Sequence, residues 1–127
     1  MEQAIQLYAA IGFLVIGLSH VAQPKGWVAF FQAHAARGVP GVFLEGFLLL
    51  NFGGVIVAFH NLWSGPAMVL TIIGYAQLLK GLGRFVAPQV GLRVMQRVTL
   101  ERAWHFQVGG ALALLLSGFL FWVGFRT

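Results

Sequence analysis

Residues 103–125 read AWHFQVGGALALLLSGFLFWVGF, 23 positions without an Asp, Glu, Lys or Arg. About 20 consecutive, mostly apolar residues are what a helix needs to cross the hydrocarbon of a bilayer. A surface helix of a soluble fold would carry a polar stripe instead. The stretch therefore reads as a membrane span, and three others resemble it: Ala4 to Ala22, Val42 to Phe59, and Ala67 to about Arg84. The third is the least apolar, because Gln77, Lys80 and Arg84 occupy its second half. The stems of Lys80 and Arg84 are long enough to carry their charges to the interface. Met1-Glu2 is not the basic start of a signal peptide, so the first stretch is read as a span too.

Composition supports this reading. The 127 residues are 59% apolar and 9% charged, against roughly 25% charged in ordinary soluble domains. Asp is absent, and the acidic residues are Glu2, Glu45 and Glu101. With no Cys, disulfides, thiolate nucleophiles and Cys-based metal or iron–sulfur sites are excluded. The net charge of +5 lies beside apolar segments, which points to anionic lipid head groups as neighbours and away from nucleic acid. Trp27, Trp63, Trp104 and Trp122 all fall at or just beyond span ends, where amphipathic indoles prefer to lie.

The basic residues orient the chain. Lys25, Arg37, Lys80, Arg84, Arg93, Arg97 and Arg102 lie on one side, and only Arg126 on the side that holds the termini. The positive-inside rule then places both connectors in the cytoplasm and both termini outside, in a bacterial inner membrane. Each connector is itself patterned. Trp27, Phe30, Phe31 and His34 follow the i, i+3, i+4, i+7 spacing of one helix face. In the second connector Arg93, Gln96 and Arg97 oppose Val90, Val94 and Met95. Both read as short interfacial helices.

The halves of the chain also match each other. Gly17-Leu18, Pro24 and Gln32 recur as Gly81-Leu82, Pro88 and Gln96; Leu44-Glu45, Asn51 and Gly53-Gly54 recur as Leu100-Glu101, Gln107 and Gly109-Gly110. The expected fold is thus all-α, a single transmembrane four-helix bundle of two tandem helix–interfacial helix–helix repeats, about 4–62 and 66–127. Both units face the same way, related by a pseudo-two-fold along the membrane normal. The paired glycines are expected to let spans two and four approach closely.

Ionisable groups inside spans are costly and tend to face the bundle interior in pairs. His20 and Arg84 end spans one and three, while Glu45 and Glu101 start spans two and four, so the simplest pairing is Glu45 with His20 and Glu101 with Arg84. Such pairs can equally do no more than pin the spans together. Glu101, His105 and Gly109 share a helix face, and His105 has only Leu49 as counterpart in the first repeat, which marks it for a role beyond scaffolding. Asn51, Gln77 and Gln107 lie deeper, as interhelical glue or ligand-binding groups. His60, beside Asn61 and Trp63, reads as loop packing. No HxxxH or HExxH spacing occurs. Haem held between His20 and His105 is geometrically conceivable.

The run Gly17-Leu18-Ser19-His20, Pro24, Gly38-Val39-Pro40, Gly46 and Gly53-Gly54 resembles the first half of DoxX-like small bacterial membrane proteins, over about residues 12 to 58. The resemblance implies a four-helix inner-membrane protein, sometimes associated with quinone or thiol redox complexes. In that family the acidic residue of the second span follows the glycine, whereas Glu45 precedes Gly46, so no site residue is carried over.

The leading expectation is a non-enzymatic membrane protein that binds or transports a small molecule or lipid. Its site would lie in the cytoplasmic half, lined by His20, Glu45, Arg84, Glu101 and His105, with Asn51 and Gln107 deeper. Four spans make a thin wall, so a transporter would need a homodimer. The alternatives are a quinone- or haem-binding redox subunit and a structural or assembly subunit of a larger membrane complex.

Overall fold

A computed structural model describes residues Met1 to Arg126. Six α-helices follow in order: α1 (Glu2–Ala22), α2 (Pro24–Ala36), α3 (Val39–Phe59), α4 (Met68–Val86), α5 (Pro88–Gln96) and α6 (Trp104–Arg126), with a 3₁₀ turn at Leu100–Arg102 before α6. α1, α3, α4 and α6 are long and apolar enough to cross a membrane. At 1.5 Å per residue, helices of this length span about 30 Å. The chain is a multi-pass, all-α membrane protein.

The two connectors fold as the short helices α2 and α5, each entered the same way. Helix α1 stops at Gln23 (φ −130°, ψ 54°) and α4 at Ala87 (φ −131°, ψ 66°). Pro24 and Pro88 then take the first helical position, where a missing N–H costs nothing. The turn from α2 into α3 needs two glycines. Gly38 adopts φ +67°, a conformation that favours glycine, and any side chain on Gly41 would strike the His34 backbone carbonyl.

The long helices associate as two antiparallel pairs, α1 with α6 and α3 with α4. This corrects the expectation that the paired glycines bring spans two and four together. A Cβ added to Gly17 would lie 2.9 Å from the Gly110 carbonyl oxygen, and one added to Gly110 would lie 2.7 Å from that of Gly17. In the other pair, a Cβ on Gly81 would come within 3.0 Å of the Gly46 oxygen, and one on Gly53 within 2.8 Å of the Gly74 oxygen. Close backbone approach over small residues maximises dispersion contact, the main attraction left between helices in lipid. Only one glycine of each adjacent couple is used: Gly54 and Gly109 have open space where a Cβ would go.

The crossing points of the two pairs correspond at a constant offset of 64 residues. Gly17 against Gly110 corresponds to Gly81 against Gly46. Ser117, whose hydroxyl donates to the Ala10 carbonyl at 2.7 Å, corresponds to Gly53, which meets Gly74. The register expected for Glu45 and Glu101, 56 residues apart, does not share this offset. At an offset of 64 the residue corresponding to Glu45 is Gly109, and Glu101 falls in the turn ahead of α6. The difference of eight residues is about two helical turns.

The pairs meet in the half that holds the termini. Ile5, Ala9, Ala10 and Leu120 from one pair join Ile56 and Leu70 from the other, and Phe13 packs edge-on against Phe52 at 5.8 Å. In the opposite half α2 and α5 lie across the gap between the pairs, burying Val28 and Met95. Gln32 of α2 donates to the Val98 carbonyl at 3.3 Å.

Candidate functional site

The gap beneath α2 and α5 contains the Arg84–Glu45 ion pair. Arg84 Nε donates to Glu45 Oε2 at 3.0 Å, and the two side chains are only 11% and 14% exposed. Glycine places the arginine. A Cβ on Gly46 of α3 would lie 2.7 Å from Arg84 Cβ, and one on Gly91 of α5 would lie 2.6 Å from Arg84 Cδ. The aliphatic stem therefore runs between two bare backbones, which aims the guanidinium at the second turn of α3, where Glu45 sits. Burying two charges is costly, and the pair offsets that cost only when geometry is good and further donors and acceptors are satisfied.

A cavity of about 170 Å³ adjoins the pair, far above the ~30 Å³ share of one water. Glu45, Lys80 and Arg84 line one wall; Phe31, Met95 and Phe106 contribute to the apolar remainder. A second cavity of about 220 Å³ shares Val94, Val98 and Phe106 with the first and adds Arg97, Arg102 and His105. The two cavities make up a basin bordered in common by these three apolar residues, with Glu45, Lys80 and Arg84 on the first cavity and Arg97, Arg102 and His105 on the second.

The expected site residues distribute unevenly around this basin. Glu45 and Arg84 are brought together with each other, which corrects the pairing of Glu45 with His20 and of Glu101 with Arg84. The reason is the helix pairing: α3 packs on α4, so the carboxylate of α3 meets the arginine of α4. Glu101 is exposed in the 3₁₀ turn and forms no ion pair among the described residues. His105 is exposed too, its ring edge-on to Trp104 at 4.0 Å, and it reaches the second cavity. His20 Nδ1 lies 2.8 Å from the Ile16 carbonyl; a carbonyl only accepts, so Nδ1 carries the proton. The His20 ring stacks on Trp27 at 4.2 Å, whose indole N–H donates to Ser19 at 2.8 Å. His20 thus belongs to an aromatic cluster with Trp27 and Phe106.

Asn51 faces outward and donates back to the Phe47 carbonyl at 2.8 Å. Gln107 reaches the Val21 carbonyl only at 3.5 Å, a distance at which a hydrogen bond is weak. Lys80, Arg97 and Arg102 were not among the residues expected at the site from sequence. The signal for Lys80 was present, since it precedes Arg84 by four residues and shares its helix face. Among the described residues no group of three or more His, Cys, Asp or Glu could hold a metal ion.

A second polar cluster closes the opposite end. His60 is 1% exposed and its Nδ1 lies 3.1 Å from Thr71 Oγ1. The Thr71 hydroxyl donates its one proton to the His60 carbonyl at 3.2 Å, so Nδ1–H is the donor to Oγ1 in this arrangement. The Leu62 N–H also donates to Thr71 Oγ1, at 3.1 Å. Burial pushes the His60 pKa below its usual 6.5, against smaller opposing effects of its own backbone and of Glu2. Loop packing is the arrangement found here, and the cluster holds the α3–α4 turn. No family model, no curated protein and no solved structure matches this chain.

Proposed function

We propose that this protein binds or transports a small molecule or lipid in the basin between its two helix pairs, with the Glu45–Arg84 pair at the centre of the site. The carrying observation is that this mostly buried pair lines a cavity of about 170 Å³. Here the pair, Lys80 and an apolar wall surround a cavity, the combination of one hydrophobic surface with a few convergent polar groups that marks ligand sites. His105 stands at the rim; His20, Glu101, Gln107 and Asn51 are peripheral. The protein resides in a bacterial inner membrane with α2 and α5 on the cytoplasmic side, so ligands reach the basin from the cytoplasm or the inner leaflet. The same reading takes the chain as a duplicated helical hairpin, supported by the constant offset of the helix crossings and by the matching joints at Gln23 and Ala87.

The test is a ligand-induced thermal shift on purified protein in nonionic detergent, across phospholipids, fatty acids and quinones. At least one class should raise the melting temperature of the wild type in a saturable way. The Glu45→Gln/Arg84→Gln double variant should lose that response while remaining folded. Equal responses of the two proteins to every class would place any binding elsewhere and end this reading.

A further inference from the structure

The charge balance of the basin identifies a class of ligand, a step that rests on the binding reading above. Four fixed cations line the two cavities, Lys80 and Arg84 in the first and Arg97 and Arg102 in the second, against the single carboxylate of Glu45. That carboxylate is engaged by Arg84 Nε. Lys80, Arg97 and Arg102 have no acidic partner among the described residues. Arg102 Nη1 lies 3.4 Å from the Arg97 backbone carbonyl, and both arginines line the second cavity.

Arg84 retains most of its capacity. Only Nε is used by Glu45, and the terminal nitrogens have no acceptor among the described residues. The free part of the planar fork matches two oxygens of one group, the geometry of phosphate or carboxylate recognition. Glu45 therefore orients the guanidinium and leaves its terminal N–H donors for an incoming oxyanion. A cationic ligand would meet three uncompensated positive charges. A neutral ligand would leave the terminal donors of Arg84, whose side chain is largely buried, without acceptors, the costly outcome away from water, and would gain nothing from the exposed charge of Lys80. The residues common to both cavities are Val94, Val98 and Phe106, which offer nothing to a head group and suit a hydrocarbon chain or ring.

We infer that the basin takes an anionic amphiphile, with its phosphate or carboxylate on Lys80 and Arg84 and its apolar body along Val94, Val98 and Phe106. Arg97 and Arg102 supply the field that draws the head inward. The same chemistry is offered by an anionic phospholipid of the inner leaflet and by a free amphiphile from the cytoplasm.

Titration of the purified full chain with four probes tests this: dodecyl phosphate, dodecanol, dodecyltrimethylammonium and inorganic phosphate. Dodecyl phosphate should bind saturably and at least tenfold more tightly than the other three. Lys80→Gln should weaken it about tenfold, the worth of one charged hydrogen bond. Lys25→Gln, which removes the same charge from the same face outside the basin, should leave the affinity unchanged. Dodecanol binding as well as dodecyl phosphate would overturn the anionic class while leaving a binding site in place. Inorganic phosphate matching dodecyl phosphate would overturn the apolar half. Saturable binding of none of the probes, together with no thermal shift from any lipid or quinone, would remove the binding reading itself. In nanodiscs, dodecyl phosphate excluded by phosphatidylglycerol but not by phosphatidylcholine would assign the bilayer as the source. Equal binding in both kinds of disc would assign a free amphiphile.

Discussion

Removing the carboxylate of Glu45 would leave the Arg84 guanidinium held by Gly46 and Gly91 with no counter-charge at hand. Breaking a buried pair from one side is more damaging than deleting both charges, because the survivor keeps its desolvation cost without compensation. Glu45→Gln is expected to cost about 3 kcal/mol, and Glu45→Gln/Arg84→Gln to recover more than half of that, read as thermal unfolding in nonionic detergent. A single variant as stable as the wild type would mean that the pair is freely hydrated. His60 gives a second test at the same scale. Its folded pKa lies below 6.5 because burial disfavours the charged ring. Between that depressed value and 6.5 the unfolded chain binds more protons than the folded one, so stability rises with pH across the window and is lost as pH falls through it. The slope cannot exceed about 1.4 kcal/mol per pH unit. On lowering pH from 7.5 to 5.5, the melting temperature of wild type should fall further than that of His60→Gln. Parallel curves would assign the acid sensitivity to another group.

At the scale of the helix, the adjacent glycines separate packing from composition. Gly110 and Gly53 face a backbone across the pair, while their neighbours Gly109 and Gly54 face open space. Gly110→Ala and Gly53→Ala should each destabilise by about 1–3 kcal/mol through overpacking. Gly109→Ala and Gly54→Ala should be neutral or stabilising by up to about 1 kcal/mol, since alanine is the better helix former. Four equal effects in a melting series would contradict the assigned crossing points. These residues also mark how far sequence reading reaches. The long helices were legible because an apolar run of bilayer length has few other readings, and α2 was legible from the spacing of Trp27, Phe30, Phe31 and His34. Partner choice was not. In a membrane, hydrophobic periodicity does not say which face meets lipid and which meets a helix, so Gly53-Gly54 and Gly109-Gly110 announced close packing, but the partners expected from them, spans two and four, were not the ones that meet. The site inherited that gap: Glu45 and Arg84 were both picked out, yet pairing them required knowing that α3 lies on α4. Arg97 and Arg102 were read only as connector charges, because their approach to the basin depends on α5 lying across the gap.

The whole molecule turns these local matches into a single orientation. If the halves were inverted relative to each other, the charges of α2 and α5 would fall on opposite sides and the bias would cancel. Each half instead crosses twice and returns, so the basic residues of both connectors accumulate on one side, seven of the eight in the chain. Such a bias is read during insertion through Lys and Arg close to the span ends; five of the seven lie in the short connectors, and Lys80 and Arg84 in the last two turns of α4. If that bias sets the orientation, the basin opens toward the cytoplasmic interface, where the inner leaflet presents its head groups. The chain has no Cys, so single cysteines can report the arrangement without background. Ser64, exposed in the α3–α4 turn, and Gln96, exposed at the end of α5, mark the two sides. Ser64→Cys should react with a membrane-impermeant maleimide in intact spheroplasts. Gln96→Cys should react only after permeabilisation. The reverse pattern would place the basin on the outer face and turn its anionic partner into one delivered from outside. Labelling of both cysteines in intact spheroplasts would mean mixed insertion, so that the charge bias does not set the orientation.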